Sequence, residues 1–591
     1  MSTQTLITNI QAATAASLKQ CFDLELDPQE IQVQPTNKQH AGDLTVVIFP
    51  LLRYKIGKPE EVGQRLGEGI GAILDEVSHF EVVKGFLNLT MSDAFWQSAL
   101  SDAREAAASY FRTDFGVGKQ VMVEFSSPNT NKPLHLGHLR NNFLGDSICR
   151  ILEAAGYDVE RVNLVNDRGI HICKSMVAYQ RFGDGETPES SGMKGDKLVG
   201  KYYVRFAEEE KKQQAELSED ETPEILEAAQ EMHRKWEAGD EKVMTLWRTM
   251  NNWVYDGFEQ TYKTIDVHFD KIYYESETYL LGKEIVKEGL EDGIFYQKED
   301  GSVWVDLEDE GLDHKLLLRK DGTSVYITQD IGTAQQRFDE YEGLKELYYV
   351  VGNEQDYHFK VLSLIMKKLG RDWWDKLIHI SYGMVDLPSG KMKSREGTVV
   401  DADELVQEMI DMAEEKTAEL GKIEALDEQG LQELYRQLAL GALKYYLLKV
   451  DPKKRMLFDP NESIDFQGDT GVFIQYSHAR LSSILRKAPS QPSKFDSDKI
   501  DGLHETEREL IKLLVNYPSR VNYAAENHDP AHLASFTYDL ARAVGRFLYE
   551  VPVLKADTDN LLHFRLHLVD QSRATLAAGL QLLGVRAPEQ M

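Results

Sequence analysis

Cysteine is scarce in this chain: Cys21, Cys149 and Cys173 are the only three in 591 residues, and they are widely scattered. That excludes a four-cysteine zinc site and gives no disulfide framework, so a reducing cytoplasm is the expected compartment. Long apolar runs are also missing. Nowhere does an uninterrupted stretch approach the roughly 18 residues a membrane-spanning helix needs, and the opening MSTQTLITNIQAATAASLKQCF lacks the basic start and apolar core of an export signal. Neither secretion nor membrane association is expected. Positive charge is in deficit as well: 67 Lys and Arg face 98 Asp and Glu, a net charge of −31. An acidic field repels phosphate beyond the contact zone, so loose nucleic-acid binding is excluded and any RNA partner must meet a local basic surface. From Gly441 to Ile500 there are 10 Lys and Arg against seven acids, which supplies a candidate. No repeat period or low-complexity tract is evident.

What the chain does have is length and hydrophobic patterning. At 591 residues with 42% hydrophobic content, it is expected to form about three or four separately packed units. Val121 to Asn166 organises them. Val121, Met122, Val123 and Phe125 read as a buried parallel strand; Leu139, Phe143, Leu144, Ile148, Ile151 and Leu152 recur at helical spacing up to Gly156; Val159, Val162, Leu164 and Val165 supply a returning strand. Between strand and helix lies Asn129-Thr-Asn-Lys-Pro-Leu-His-Leu-Gly-His138. Pro133 suits a turn or a first helical position, Gly137 permits close backbone approach, and His135 and His138 share one face if a helix begins there. A helix N-terminus offers amide donors and partial positive charge, and imidazoles added there can donate to phosphate oxygens, so the spacing suits an adenylate-forming site. Two polar residues capping a surface turn would have the same four letters.

Residues 1 to about 110 read as a small α/β unit. Residues 167 to about 266, acidic and helical, read as an insertion into a doubly wound sheet whose second half starts near Ile272. Leu316–Arg319, Ser324–Thr328, Glu346–Gly352 and Ile378–Gly383 are expected strands. From about Asp403 the pattern is helical to the end, and Glu208–Glu241 and Asp401–Glu433 read as solvated helix faces.

The segment SSPNTNKPLHLGHLRNNFLGD resembles class I aminoacyl-tRNA synthetases, and specifically the arginyl-tRNA synthetases; GDLT at Gly42, GFLNL at Gly85 and GKMKSREGTVV from Gly390 carry the same likeness. The resemblance implies a Rossmann-like catalytic domain over 111–405 with its insertion, an N-terminal α/β domain over 1–110 that contacts the D-loop of tRNA, and an all-α anticodon-binding domain over 406–591. It also implies a monomer, and ligation of L-arginine to tRNA(Arg) through an arginyl-adenylate, with ATP as substrate and Mg²⁺ accompanying it. By the resemblance His135, His138, Lys132, Pro133 and Gly137 serve ATP, together with Lys391, Met392, Lys393, Ser394 and Arg395 of the loop that closes on the phosphates. That loop departs from the family's form, since Lys393, Ser394, Arg395, Glu396 and Gly397 stand where Ser-Thr-Arg-Lys-Gly is usual. In the family a lysine before the histidines substitutes, a role open to Lys132.

Glu275, Tyr326 and Asp330 are the implied guanidinium partners, with Asn129 and Gln355 on the α-amino and carboxylate groups. Paired carboxylates suit a guanidinium fork in a way lysine cannot duplicate. Asn166-Asp-Arg-Gly-Ile-His171 keeps Asp167 and Gly169 of the family's Asp-Trp-Gly-x-Gln but has Arg168 and His171 at the other positions. In the helical part, Phe473, Tyr476 and Arg480 are implied tRNA contacts that combine stacking with phosphate attraction, and Met591 matches the family's terminal methionine. No protein metal site is expected. The rival readings are another H-x-G-H nucleotidyltransferase and a catalytically silent tRNA-binding paralogue.

Overall fold

The structure, a computed structural model, describes residues 3–37, 39–218, 221–388, 400–420 and 426–591. Helices α1 (Thr3–Phe22) and α2 (Pro59–Ile73) pack together beside an antiparallel sheet of β1 (Val33–Pro35), β2 (Leu44–Val47), β3 (Val77–Val83) and β4 (Phe86–Met91), in the order β1-β2-β4-β3. The GDLT and GFLNL segments meet there, Leu44 opposite Leu89. Helix α3 (Asp93–Glu105), capped by Ser92, leads out of this unit.

The central sheet is parallel throughout. It contains β5 (Gln120–Glu124), followed by α4 (Leu136–Ala154) and β6 (Asp158–Val165). The insertion follows as α5 (Ile170–Phe182), α6 (Pro188–Ser191), α7 (Gly195–Gln214), α8 (Glu224–Glu237) and α9 (Glu241–Thr264), after which β7 (Lys271–Tyr274) rejoins the sheet beside β6. Then come α10 (Glu275–Thr278), α11 (Leu281–Glu291) and a small antiparallel sheet of β8 (Phe295–Gln297), β9 (Val303–Val305) and β10 (Lys315–Leu318). Helix α12 (Tyr326–Glu340), β11 (Leu344–Gly352), α13 (Asp356–Lys368) and β12 (Leu377–Tyr382) complete the sheet, with strand order β12-β11-β5-β6-β7. The chain thus moves one way from β5 to β6 and β7 and returns on its other side to β11. This reversal opens a crevice at the carboxyl ends of β5 and β11, the ligand position of open α/β sheets.

Two expected strands are corrected. Leu316–Arg319 does form strand, but in the antiparallel sheet, ending at Leu318. Ser324–Thr328 makes a single bridge at Ser324, after which Val325 caps a helix that starts at Tyr326. The alternation Val325, Ile327 that suggested a strand serves a helix start equally well. The insertion is also less solvated than its charge implied, because Tyr202, Tyr203, Phe206, Ile225 and Trp236 are all buried.

A short strand β13 (Val385–Asp386) precedes α14 (Ala402–Leu420) and α15 (Glu428–Leu448), and pairs in parallel with β14 (Met456–Leu457). Helices α16 (Pro460–Ser463), α17 (Gly471–Lys487), α18 (Glu505–Asn527), α19 (Pro530–Glu550) and α20 (Asp559–Leu582) complete the chain. A divide between 405 and 406 falls inside α14, which packs on both α4 and α15. No described helix is long and apolar enough to cross a membrane.

Candidate active site

Strand β5 gives way to two residues with positive φ, Ser126 at 75° and Ser127 at 44°. Such backbone is unfavourable for serine and persists only where neighbours enforce it. Here Asn141 of α4 accepts from the Ser126 N–H and Asn163 of β6 accepts from the Ser127 N–H at 3.0 Å, while Ser126 Oγ lies 2.8 Å from the Tyr262 hydroxyl. A Cβ on Gly145 would stand 2.2 Å from the Phe125 ring, so α4 rests directly on the end of β5. Strand, turn and helix are thereby locked, and the segment from Asn129 to His138 is presented at the crevice.

His135 is the N-cap of α4 and His138 its third residue. The Gly137 N–H donates to His135 Nδ1 at 3.1 Å, and the His135 N–H donates to His138 Nδ1 at 3.2 Å. Gly137 is therefore required first by the His135 ring, whose Cε1 would lie 2.9 Å from a Cβ there. Burial, and then the Lys132 charge, pull the His135 imidazole down to about 3. His138 is held well below its ordinary value by burial, His135 and Lys132. A neutral ring whose Nδ1 accepts must carry its proton on Nε2, so each histidine keeps one Nε2–H donor. Proton transfer from an imidazolium is not what this pair offers at neutral pH; fixed dipolar donors are.

The closing edge of this site is Asp401. It bridges His135, the Ala402 N–H donates to the Leu134 carbonyl at 2.9 Å, and the Asp401 carboxylate caps α14 while meeting Lys197 at 3.3 Å. Lys391, Met392, Lys393, Ser394 and Arg395 lie outside the described residues, but the segment that contains them rejoins the described chain directly beside the histidines. Lys132 and Pro133 are backed by α7, where a Cβ on Gly200 would come within 2.9 Å of Pro133 Cδ.

Beside the histidine segment opens a cleft of about 840 Å³ whose lining includes Asn129, Arg168, Glu275, Tyr326 and Gln329. Tyr326, 76% exposed, Gln329 and Asp330 share one face of the first turns of α12. Glu275 begins α10 at the end of β7 and is 8% exposed. Burial pushes its carboxyl up to about 7, opposed by Arg168 and a hydrogen bond from Gln329 and reinforced by Asp167 and Asp330. Asp330 itself is bonded to His358 of α13 and does not line the cleft. Gln355 is exposed in the turn between β11 and α13. Gln329, Trp236, Glu237 and Tyr279 were not singled out in the sequence. Gln329 is signalled only by its i, i+3 relation to Tyr326, and the others only by folding of the insertion over the cleft.

Among the described residues, the group with metal-ligand spacing is Asp306, Glu308 and His314. It belongs to the region of the small antiparallel sheet and does not line the cleft.

The family models agree with this geometry. The class I (R) tRNA synthetase catalytic domain matches residues 104–459, and the DALR anticodon binding domain matches 474–591. The chain belongs to the arginyl-tRNA synthetases. Similar proteins include the arginine–tRNA ligase of Amoebophilus asiaticus, 50% identical over 98% of this chain and 99% of that one, and that of Flavobacterium psychrophilum, 49% identical over 97% and 98%. Among solved structures, the Thermus thermophilus arginyl-tRNA synthetase superposes with a TM-score of 0.75 at 25% identity, covering 98% of this chain and 99% of that one. The Plasmodium falciparum arginyl-tRNA synthetase shares the fold at TM-score 0.77 and 20% identity, over 99% of both chains.

In this synthetase Tyr476 is 40% exposed on α17, with the Arg480 guanidinium 5.8 Å from its ring. Phe473 differs from expectation: it is half-buried against Tyr538 of α19, 5.6 Å between centroids, which leaves it less ring surface to offer. The carboxyl-terminal segment runs along α17. Gln475 Nε2 donates to the Arg586 carbonyl at 2.8 Å, His478 Nδ1 to that of Pro588 at 2.9 Å, and Arg486 to that of Glu589 at 3.0 Å; Met591 follows, half-buried. The local basic count overstated the cationic surface, because Lys444 is buried and Lys449, Arg455 and Lys499 lie against Asp469, Asp386 and Asp496.

Proposed function

We propose that the chain ligates L-arginine to tRNA(Arg), using ATP to form arginyl-adenylate and then passing the arginyl group to the terminal ribose hydroxyl of the tRNA. The observation that carries this reading is the juxtaposition of two neutral Nε2–H donors on the α4 N-terminus with a cleft that holds a buried carboxylate, Glu275.

In the first step an oxygen of the arginine carboxylate bonds to the α-phosphorus while the bond to the β-phosphate bridging oxygen breaks, and pyrophosphate leaves. No protein nucleophile is required. Charge builds on phosphate oxygens, and His135 and His138 stabilise it by donation that costs little reorganisation because both rings are already fixed by their own backbone. Pro133 and Gly137 shape the approach, and Lys132 with the 391–395 segment supplies cations for the departing pyrophosphate. Magnesium enters as part of the ATP substrate. Glu275 and Tyr326 receive the guanidinium, with Asp330 on α12 adding negative charge beside Glu275, and Asn129 and Gln355 take the α-amino and carboxylate groups. Tyr476, Arg480 and Met591 face the tRNA, with a smaller share for Phe473, and the 1–110 unit meets its D-loop.

Exchange of labelled pyrophosphate into ATP, with and without arginine and tRNA, tests the reading. Arginine-dependent exchange is the expected result. Exchange indifferent to both arginine and tRNA would mark another nucleotidyltransferase, and tRNA binding with no exchange under any condition would mark a silent paralogue.

A further inference from the structure

Residue 168, where the family resemblance implies tryptophan, is an arginine, and its guanidinium is placed inside the cleft rather than in solvent. The Arg168 side chain is 10% exposed. Its guanidinium carbon lies 3.9 Å from the Tyr279 ring centroid and 5.2 Å from that of Trp236. One edge is ion-paired with Glu237 at the end of α8, and Nη1 stands 3.6 Å from Glu275 Oε1, beyond direct hydrogen-bond contact. Backbone play at this point is small. The Asp167 carbonyl accepts from Trp247 Nε1 at 2.7 Å and Asn251 Nδ2 at 3.1 Å, and its carboxylate accepts from the Ser276 N–H and the Tyr255 hydroxyl, both at 2.8 Å.

We propose that Arg168 is a positioning residue of the amino-acid pocket: a resident guanidinium, tethered by Glu237 of the insertion, that serves as fixed counter-cation to Glu275 while leaving that carboxylate open to the substrate guanidinium. The proposal rests on Glu275 receiving the substrate, as argued above. Aromatic faces hold a guanidinium plane without neutralising it, which leaves its N–H edge for carboxylates. Glu237 takes that edge. Without Glu237, Arg168 would have Glu275 as its nearest carboxylate and would close on it, in competition with the substrate. The charged groups around Glu275 are Asp167 at the end of β6, Asp330 on α12 with its partner His358, and Arg168 itself. His233 lies 3.6 Å from Glu237, and His171, Arg234, Lys283, Arg319 and Asp321 also line the cleft. Arg168 is the cation that pulls against burial and the two acids at Glu275; its removal moves the carboxyl further up.

The test is the arginine KM of the full-length enzyme in pyrophosphate exchange from pH 6 to 8.5, with tRNA present, for Arg168→Met, Arg168→Lys, Glu237→Gln and Glu275→Gln. Loss of a neighbouring opposite charge moves a carboxyl by about one unit or more. Arg168→Met is therefore expected to raise arginine KM about fivefold at pH 7, yet to lie within about twofold of the parent at pH 8.5, with ATP KM unchanged. Arg168→Lys restores part of the loss at pH 7. Glu237→Gln raises arginine KM at every pH, with no alkaline relief. A rise for Arg168→Met that is the same at all pH values would make Arg168 merely structural, and an unchanged KM for it or for Glu237→Gln would overturn the proposal. An unchanged KM for Glu275→Gln would instead remove Glu275 from the pocket, and so fault the site assignment rather than Arg168 alone.

Discussion

His135 and His138 each commit one ring nitrogen to the backbone of the helix they cap, so the Nε2–H proposed to meet ATP and the structural acceptor are opposite ends of one ring. Replacing either with alanine is expected to slow adenylate formation by roughly 10- to 1000-fold while tRNA affinity stays near the parent value, read by single-turnover activation and filter binding. The same burial sets a pH dependence of stability. Both folded-state imidazoles lie below their ordinary value of 6.5, so the folded chain binds fewer protons than the unfolded one, and the contribution present above 6.5 is lost as pH falls below it. Melting temperature is expected to drop between pH 6.5 and 5, and His135→Gln, which keeps an acceptor for the Gly137 N–H, is expected to flatten that slope. Asp330→Asn should cost about 1 to 3 kcal/mol in kcat/KM for arginine, since the residue is bonded to His358 and acts on the pocket through its charge beside Glu275, with ATP binding unaltered; an unchanged kcat/KM would remove it. At this scale the placement of the two histidines at a helix start was legible from spacing, and the role assigned to them came with the resemblance. Glu275, Tyr326 and Asp330 were legible only through resemblance, because 98 acids in the chain give no local mark to two of them. Arg168 was visible only as a departure, since Glu237 and Glu275 lie 69 and 107 positions away in sequence and meet it only after the insertion folds.

Helix α17 carries two surfaces. Val472, Ile474 and Leu481 are fully buried, whereas Tyr476 and Arg480 stand on the outer face. The double variant Tyr476→Ala, Arg480→Ala is expected to weaken tRNA binding about 10-fold or more, with a shallower salt dependence and little change in arginine activation at saturating tRNA. Equal affinity across a salt series would take the helix out of the interface. Elements with one dominant signal were legible in sequence: β5 as a short apolar run, β6 through Val159, Val162, Leu164 and Val165, and α4 at helical spacing. Elements whose few residues fit two periods were not. Ser324–Thr328 contains apolar residues two apart and begins a helix because Val325 takes extended backbone while Tyr326 onward turns. The parallel or antiparallel partner of Leu316 was beyond reach, as pairing is decided by residues far along the chain.

Across the whole molecule, the ends are cross-braced. Asp93 after β4 meets Arg508 of α18, and Lys512 of the same helix meets Asp43, while the Tyr110 hydroxyl donates to the Leu514 carbonyl. On the other side Ser147 of α4 donates to the Leu582 carbonyl at 2.8 Å and the buried Lys444 to that of Gly584 at 2.9 Å. With −31 net charge, copies repel one another, and light scattering is expected to give a monomer; a concentration-independent dimer would contradict it. Removing residues 585–591 is expected to lower the melting temperature and to weaken tRNA binding together, because the same segment covers α17 and ends in Met591. The helix that bears the two histidines therefore leans on the Leu582 carbonyl, 435 positions further along, so during synthesis it can be fully seated only after that residue has emerged: a protein that serves translation depends on a late part of its own.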